Sequence, residues 1–378
     1  MQPNPTEIRD VLDRFGLHGD LVRCKLWKGG HINVTLLVDL AAPDGTAKEY
    51  VLQRVNSKVF LQPRLVMENA IRVTEHAVAK LRAAPGATPD SIARGSIKFL
   101  RASDGNPYVD ADGGDIWRIY PCIQNAHAEE VASSEAEAYE AAMAFGRFQR
   151  LLADLPGGRL HETIPNFHNT PWRFECLDDA ARRDPCGRVA SALPELDAFR
   201  ARTERAGVLQ RAFSEGAFPE RTVHNDAKFA NILLDDATGK AVCVIDLDTV
   251  MTGYALHDFG DLVRSMVNPA RESERDLSKV SVRTSFFEAL ANGYFEGAGD
   301  VLTPRERELL PEAGWAITIE CGSRFLADYI EGDRYFRITD PDENLVRART
   351  QLEFAMRLEA AMPELHDITR RAAASRFR

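Results

Sequence analysis

The most constraining feature of the chain is a polar loop held between short apolar runs. It reads Thr222-Val-His224-Asn-Asp226-Ala-Lys228-Phe-Ala-Asn231-Ile-Leu-Leu-Asp235, and Val242-Cys-Val-Ile-Asp246-Leu-Asp248 follows it. Ile232–Leu234 and Val242–Leu247 read as a strand pair. Such a hairpin brings Asp246, twenty residues after Asp226, back toward the loop. Two carboxylates and an amide are then offered at one end of a small sheet.

That set suits phosphoryl transfer, which asks little covalent chemistry of a protein. It needs a carboxylate to orient a hydroxyl and oxygen ligands for the Mg²⁺ that bridges nucleotide phosphates. In the pattern H-x-D-x-x-x-x-N, Asp226 is the expected catalytic base and Asn231 a metal ligand. Asp246, at the end of an apolar strand, is the expected main metal ligand, with Asp248 a further expected metal ligand beside it. A second Asp, in Asp258-Phe259-Gly260, spells another metal-binding signature. No apolar strand precedes it, and it runs into a helix start, so Asp258 and Asp261 are expected to cap a helix or brace the loop.

The rest of the chain divides in two. At 378 residues it exceeds one small core, and two packed lobes are expected. Residues 1–123 look β-rich. Leu36–Val38 and Tyr50–Leu52 flank the turn signal Ala42-Pro43-Asp44-Gly45. Ser96–Leu100, Tyr108–Val109 and Ile116–Ile123 read as further strands. Arg64–Leu81 has apolar residues at helical spacing and no Pro or Gly. From 124 to 378 helices dominate, at 134–155, 192–214, 276–297, 311–331 and 343–360. The spacing predicts an α+β chain with a small β-rich lobe, a crossover near Tyr120–Asn125 and a larger helical lobe.

Composition excludes other classes. A net charge of −10 with no Lys/Arg cluster argues against nucleic acid and anionic membranes as partners. Six cysteines without a C-x-x-C suit reduced thiols in a cytoplasm. The first ten residues lack a basic start and an apolar run, so no signal peptide is expected. No apolar run reaches about 18 residues, so no membrane span is expected either.

On its loop and strand, the chain resembles the aminoglycoside-phosphotransferase-like branch of the kinase superfamily. The resemblance implies a two-lobed protein-kinase-like fold, with residues 1–123 binding nucleotide and 124–378 carrying catalysis and a sugar site. It implies ATP and Mg²⁺, and it places Lys228 where protein kinases keep a phosphate-steadying lysine. Gly29, Gly30, His31 and Asn33 would form the turn over the phosphates, and Tyr120 to Ile123 the hinge at the adenine edge. No Lys stands at the strand position such kinases use. Gln53 occupies it, or Arg54 if the register shifts by one residue, and Glu68 or Glu75 would be the helix partner.

Three further strings are similar to the N-acetylhexosamine 1-kinases: Ile164–Thr170, Asp246–Asp261 and Arg324–Phe336. They imply phosphorylation of N-acetylglucosamine or N-acetylgalactosamine at the anomeric hydroxyl. The sugar contacts would be Asp226, Arg324 and Tyr335, with His168 a further candidate. That hydroxyl is unusually acidic for a sugar, so a carboxylate of ordinary pKa suffices as base. Two alternatives stay open. One is a kinase of the same fold acting on another sugar, a polyol or an aminoglycoside; the other is a nucleotide-binding pseudokinase.

Overall fold

Alternating apolar side chains build the first sheet. The structure, a computed structural model, describes residues 4–27, 32–41 and 46–377. Five strands, β1 (Asp20–Leu26), β2 (Val34–Ala41), β3 (Ala47–Val55), β4 (Val109–Asp110) and β5 (Ile116–Pro121), form an antiparallel sheet in the order β1-β2-β3-β5-β4. One face carries Leu36, Val38, Leu40, Tyr50, Leu52, Trp117 and Ile119. It packs on Ile8, Val11, Leu12 and Phe15, contributed by the helix Pro5–Arg14 and its C-terminal end. That helix has an Asn4 N-cap and a Pro at its start, signals the strand-centred sequence reading passes over. The opposite face takes Val55 and Ile116 with Val66, Met67, Ala70 and Val73 of the helix Pro63–Ala83.

That second core crosses between the lobes. It continues into Phe148 and Leu152 of the helix Glu135–Leu152, and into Cys243, Leu247 and Val250 beside the expected metal carboxylate. The sheet is therefore packed against the segment that holds Cys243, Leu247 and Val250.

The C-terminal part is mostly helical, with Thr170–Arg183, Ala255–Met266, Thr284–Ala298, Leu310–Glu331 and Glu343–Arg376 joining Glu135–Leu152. Glu135–Leu152 and Thr284–Ala298 pack backbone to backbone: a Cβ on Gly293 would sit 2.2 Å from the Tyr139 carbonyl oxygen, and one on Gly297 2.2 Å from that of Met143. Five short strands complete the lobe: β6 (Ala126–His127), β7 (Arg221–Val223), β8 (Ile232–Asp235), β9 (Ala241–Val244) and β10 (Met251–Gly253). β8 lies between β6 and β9, and β7 pairs with β10.

Several boundaries depart from the periodicity. Ser96–Leu100 forms no strand, although the Leu100 N–H donates to the Ile119 carbonyl. The expected helix at 192–214 is three short pieces broken near Ala201 and Gly207. The helix expected from 276 begins only at Thr284. The last helix runs past Pro363 to Arg376, because Leu365, Ile368 and Ala372 still find the core. The turn at 42–45 lies outside the described residues.

Candidate active site

The loop after β7 is nailed down from behind. Asp258, on the buried helix Ala255–Met266, accepts the backbone N–H groups of His224 (3.0 Å) and Asn225 (2.8 Å) and the Gln149 amide (2.7 Å). Burial pushes its carboxyl above the ordinary value, and those donors pull it back. It is a brace, as its helix-start context suggested. His224 is fully buried, edge-on to Phe145 and Phe148. Its Nε2 donates to the Ile245 carbonyl at 2.9 Å and its Nδ1 accepts the Asp226 N–H at 3.3 Å, the pattern of a neutral imidazole. Asn225 takes φ 64°, a left-handed turn that Asn tolerates, and its amide donates to the Thr249 carbonyl.

These anchors leave Asp226 facing its neighbours. Its Oδ2 accepts from Lys228 Nζ at 2.8 Å and from Asn231 Nδ2 at 2.9 Å. Its Oδ1 has no donor among the described residues. Burial alone would raise the carboxyl, but Lys228 and the Asn231 amide outweigh it and hold Asp226 below the usual range. Asn231 spends its N–H groups on Asp226 and leaves its own Oδ1 without a donor among the described residues. Asp246 sits at φ 60°, where the chain turns out of β9. Burial, then the charges of Asp248 and Asp226, push its carboxyl up to about 6. Such crowding of negative charge is relieved by a hard cation. Mg²⁺ is held by one or two protein carboxylates with phosphate and water, so Asp246 and the Asn231 oxygen fit it.

Other expected residues sit elsewhere, or are already engaged. Gly29, Gly30 and His31 lie outside the described residues. Asn33 accepts the Asn56 N–H and donates to Asp248, tying the start of β2 to the segment after Asp246. Arg54 pairs with Asp115 and lies 3.5 Å from Glu7, whereas the Gln53 amide donates to Thr35 on β2. Glu68 lies 3.1 Å from His161 and is more than half exposed, so it is no partner for a strand cation; Glu75 pairs with Arg101. Asp248 differs from the expectation too. It is buried, and its two oxygens are held by Arg118 and Asn33, leaving neither free for a metal. Tyr120 pairs with Val51 in the β5–β3 ladder and stacks edge-on with Phe99; Ile123 packs on the interlobe core.

On the acceptor side, His168 is corrected from sugar ligand to brace. Its Nδ1 meets Glu320 at 2.8 Å and its Nε2 donates to the Asn225 carbonyl at 3.0 Å, so neither nitrogen is free. Burial would lower its pKa, but the Glu320 carboxylate and the Asn225 carbonyl raise it above the ordinary value. Thr170 steadies Glu320 from the other side at 2.7 Å. Arg324 forms no ion pair among the described residues. Its guanidinium lies 5.4, 5.5 and 5.8 Å from the ring centres of Phe167, Phe336 and Tyr335. Asp328, an i+4 candidate partner, instead accepts the backbone N–H groups of Arg334, Tyr335 and Phe336 and so holds that loop. Arg173 is a residue the sequence reading missed. Burial, then the nearby charge of Arg324, lowers its pKa.

Residues 25–309 match the APH family, the phosphotransferase enzyme family. The chain is a member of that family. This phosphotransferase is an enzyme, and its fold recurs in solved structures. An aminoglycoside phosphotransferase from Alicyclobacillus acidocaldarius superposes with a TM-score of 0.63 at 14% identity, covering 98% of each chain. A microcompartment-associated aminopropanol kinase gives 0.59 at 16% identity, over 96% of this chain and 99% of that one. A spectinomycin phosphotransferase solved with ADP and spectinomycin gives 0.58 at 12%, over 95% and 99%. Identities this low speak for the fold alone. Among the phosphotransferase's described residues, no helix is long and apolar enough to cross a membrane.

Proposed function

We propose that this phosphotransferase is an ATP-dependent anomeric kinase of N-acetylhexosamines, working in the cytoplasm. Residues 1–123 hold the nucleotide, and 124–378 supply catalysis and the sugar site. The observation that carries the reading is the state of Asp226. Its carboxyl is held below the usual range, it is fixed through Oδ2 by Lys228 and Asn231, and its Oδ1 has no donor among the described residues. That is the arrangement a base needs to accept a proton from an incoming hydroxyl.

In the step itself, the acceptor proton passes to Asp226 Oδ1. The sugar oxygen forms its bond to the γ-phosphorus as the bond to the ADP oxygen breaks. Lys228 keeps the carboxylate oriented and adds a positive charge beside the transferring group. Asp246 and Asn231 would hold Mg²⁺, which supplies charge neutralisation along the phosphates. Asp258 and His168 act behind the loop, fixing the backbone that aims Asp226.

The acceptor class follows from charge. Among the described residues Arg324 has no carboxylate bonded to it, and it lies near Arg173, with Tyr335 close by. Two guanidinium groups repel a polycationic or amino-alcohol acceptor and favour a neutral, oxygen-rich one. Spectinomycin and aminopropanol, named for two of the structural neighbours, are the contrast. The similarity of Arg324–Phe336 to the hexosamine 1-kinases supports the same choice.

The test is ADP release across free sugars, N-acetylated sugars, amino alcohols and aminoglycosides, followed by phosphorus NMR of the product. An anomeric phosphate couples to the anomeric proton, whereas a 6-phosphate does not. Turnover of an amino alcohol or aminoglycoside, with none for any N-acetylhexosamine, would overturn the reading.

A further inference from the structure

The vacant strand position poses a problem that the fold answers one strand away. Gln53 stands where the family resemblance expects a cation, and it is neutral. Directly across the β3–β5 ladder from it is Arg118. Opposed residues of an antiparallel pair share a face, and this face looks toward the helix Pro63–Ala83 and the catalytic segment.

Arg118 is only 2% exposed. A buried guanidinium is tolerated when it is paired and its donors are used. Its Nη1 is bonded to Asp248, which is 3% exposed and two residues past Asp246. Its Nε donates to the Gln53 side-chain oxygen at 3.0 Å. The Gln53 amide in turn donates to Thr35 in β2 at 3.1 Å. Asn33, two residues before Thr35, bonds the other oxygen of Asp248. The network thus joins β2 and the residue just before it, β3, β5 and the segment after Asp246. Arg118 Nη2 has no hydrogen-bond partner among the described residues. Met67, on the helix that carries the glutamate in kinases with a strand lysine, only brushes Nη1 with its sulfur at 3.8 Å.

We propose that Arg118 is the nucleotide-phosphate cation of this enzyme, with Asp248 as its anchor in place of a helix glutamate. Two nitrogens of the fork are fixed to the protein, and the third, Nη2, is kept for the phosphates. Gln53 is neutral because a second cation at that spot would repel Arg118. Its oxygen instead aligns the fork. The proposal rests on the kinase reading above and adds the residue that reading lacked.

The test is calorimetric binding of two probes, Mg·ADP and adenosine, to wild type and to Arg118→Met, with thermal melts of each. Adenosine lacks the phosphates, so it separates a phosphate contact from a general loss of structure. Expected is at least a tenfold weaker Mg·ADP affinity with adenosine affinity within threefold. A smaller loss for Mg·ADP, or an equal loss for adenosine, overturns the proposal and leaves Arg118 a purely structural tie. Should Arg118→Met not fold, Arg118→Lys carries the same criteria, because its single ammonium pairs with Asp248 and leaves no second nitrogen. Moving the cation back, as Gln53→Lys with Arg118→Met, should recover part of the Mg·ADP affinity; no recovery counts against the shared face. Failure of wild type to bind Mg·ADP at all would sink the kinase reading itself, a result distinct from the others.

Discussion

Replacing Asp258 tests how the catalytic loop is held. In Asp258→Ala three buried donors lose their acceptor at once: the His224 N–H, the Asn225 N–H and the Gln149 amide. Leaving a buried donor unpaired costs about 1–3 kcal/mol. Part of that is offset because the wild-type carboxyl itself is buried at a cost, as its raised pKa shows. A net loss of about 3–6 kcal/mol is expected, a large share of a typical total of about 5–15 kcal/mol. The midpoint of thermal unfolding should fall by about 5–15 °C. Asp258→Asn should be milder. Its oxygen, placed where Oδ2 lies, can keep both the His224 N–H and the Gln149 amide. Only the Asn225 N–H is then stranded, a loss of about 1–3 kcal/mol. Activity should track the loop. A base displaced by about 1 Å loses about a hundredfold in rate, so the surviving folded Ala variant should show a lower kcat with nucleotide affinity little changed. Thermal melts, steady-state kinetics and ADP calorimetry read these out. If Asp258→Ala melts within 2 °C of wild type, the brace argument is wrong; if it folds normally and loses Mg²⁺-dependent nucleotide binding, Asp258 and not Asp246 is the metal carboxylate.

Three further outcomes are expected. Asp226→Asn should lose at least about a thousandfold in kcat while Mg·ADP binding holds, since a base acts in the transition state; a variant keeping a tenth of wild-type kcat would refute the assignment. His168→Gln should cost most stability in mildly acidic solution. The raised His168 contributes fully below the unfolded value of about 6.5 and is lost as pH rises through its folded value, while the lowered Glu320 contributes above about 4.3. The difference in melting temperature from wild type should therefore shrink as pH is raised well above 6.5, and a difference that grows with pH would contradict the imidazolium–carboxylate pair. Arg324→Ala should raise KM for the sugar about tenfold or more with ATP KM within twofold, as measured by coupled ADP release; an unchanged sugar KM removes Arg324 from the acceptor site.

The legible parts of this chain were those whose chemistry is local. His224, Asp226, Lys228 and Asn231 lie within eight residues, and the hairpin that returns Asp246 is short, so residue type and spacing announce them. The decoy at Asp258 was separable for the same reason: a helix start and a strand end look different in sequence. The β-rich and helical halves were legible because period-2 and period-3.6 burial leave different apolar patterns.

What only the tertiary structure decided are the long-range pairings. Arg118 and Asp248 are 130 residues apart, and His168 and Glu320 are 152. No local pattern marks Arg118; the β3–β5 register alone sets it across from Gln53, and chain crossing between the lobes alone brings it Asp248. His168 looked like a free ligand because nothing in its own string shows that Glu320 and the Asn225 carbonyl will take both nitrogens. Burial explains all of these cases: a charged or polar group removed from water must find its partner wherever the fold provides one, and sequence distance does not enter that requirement.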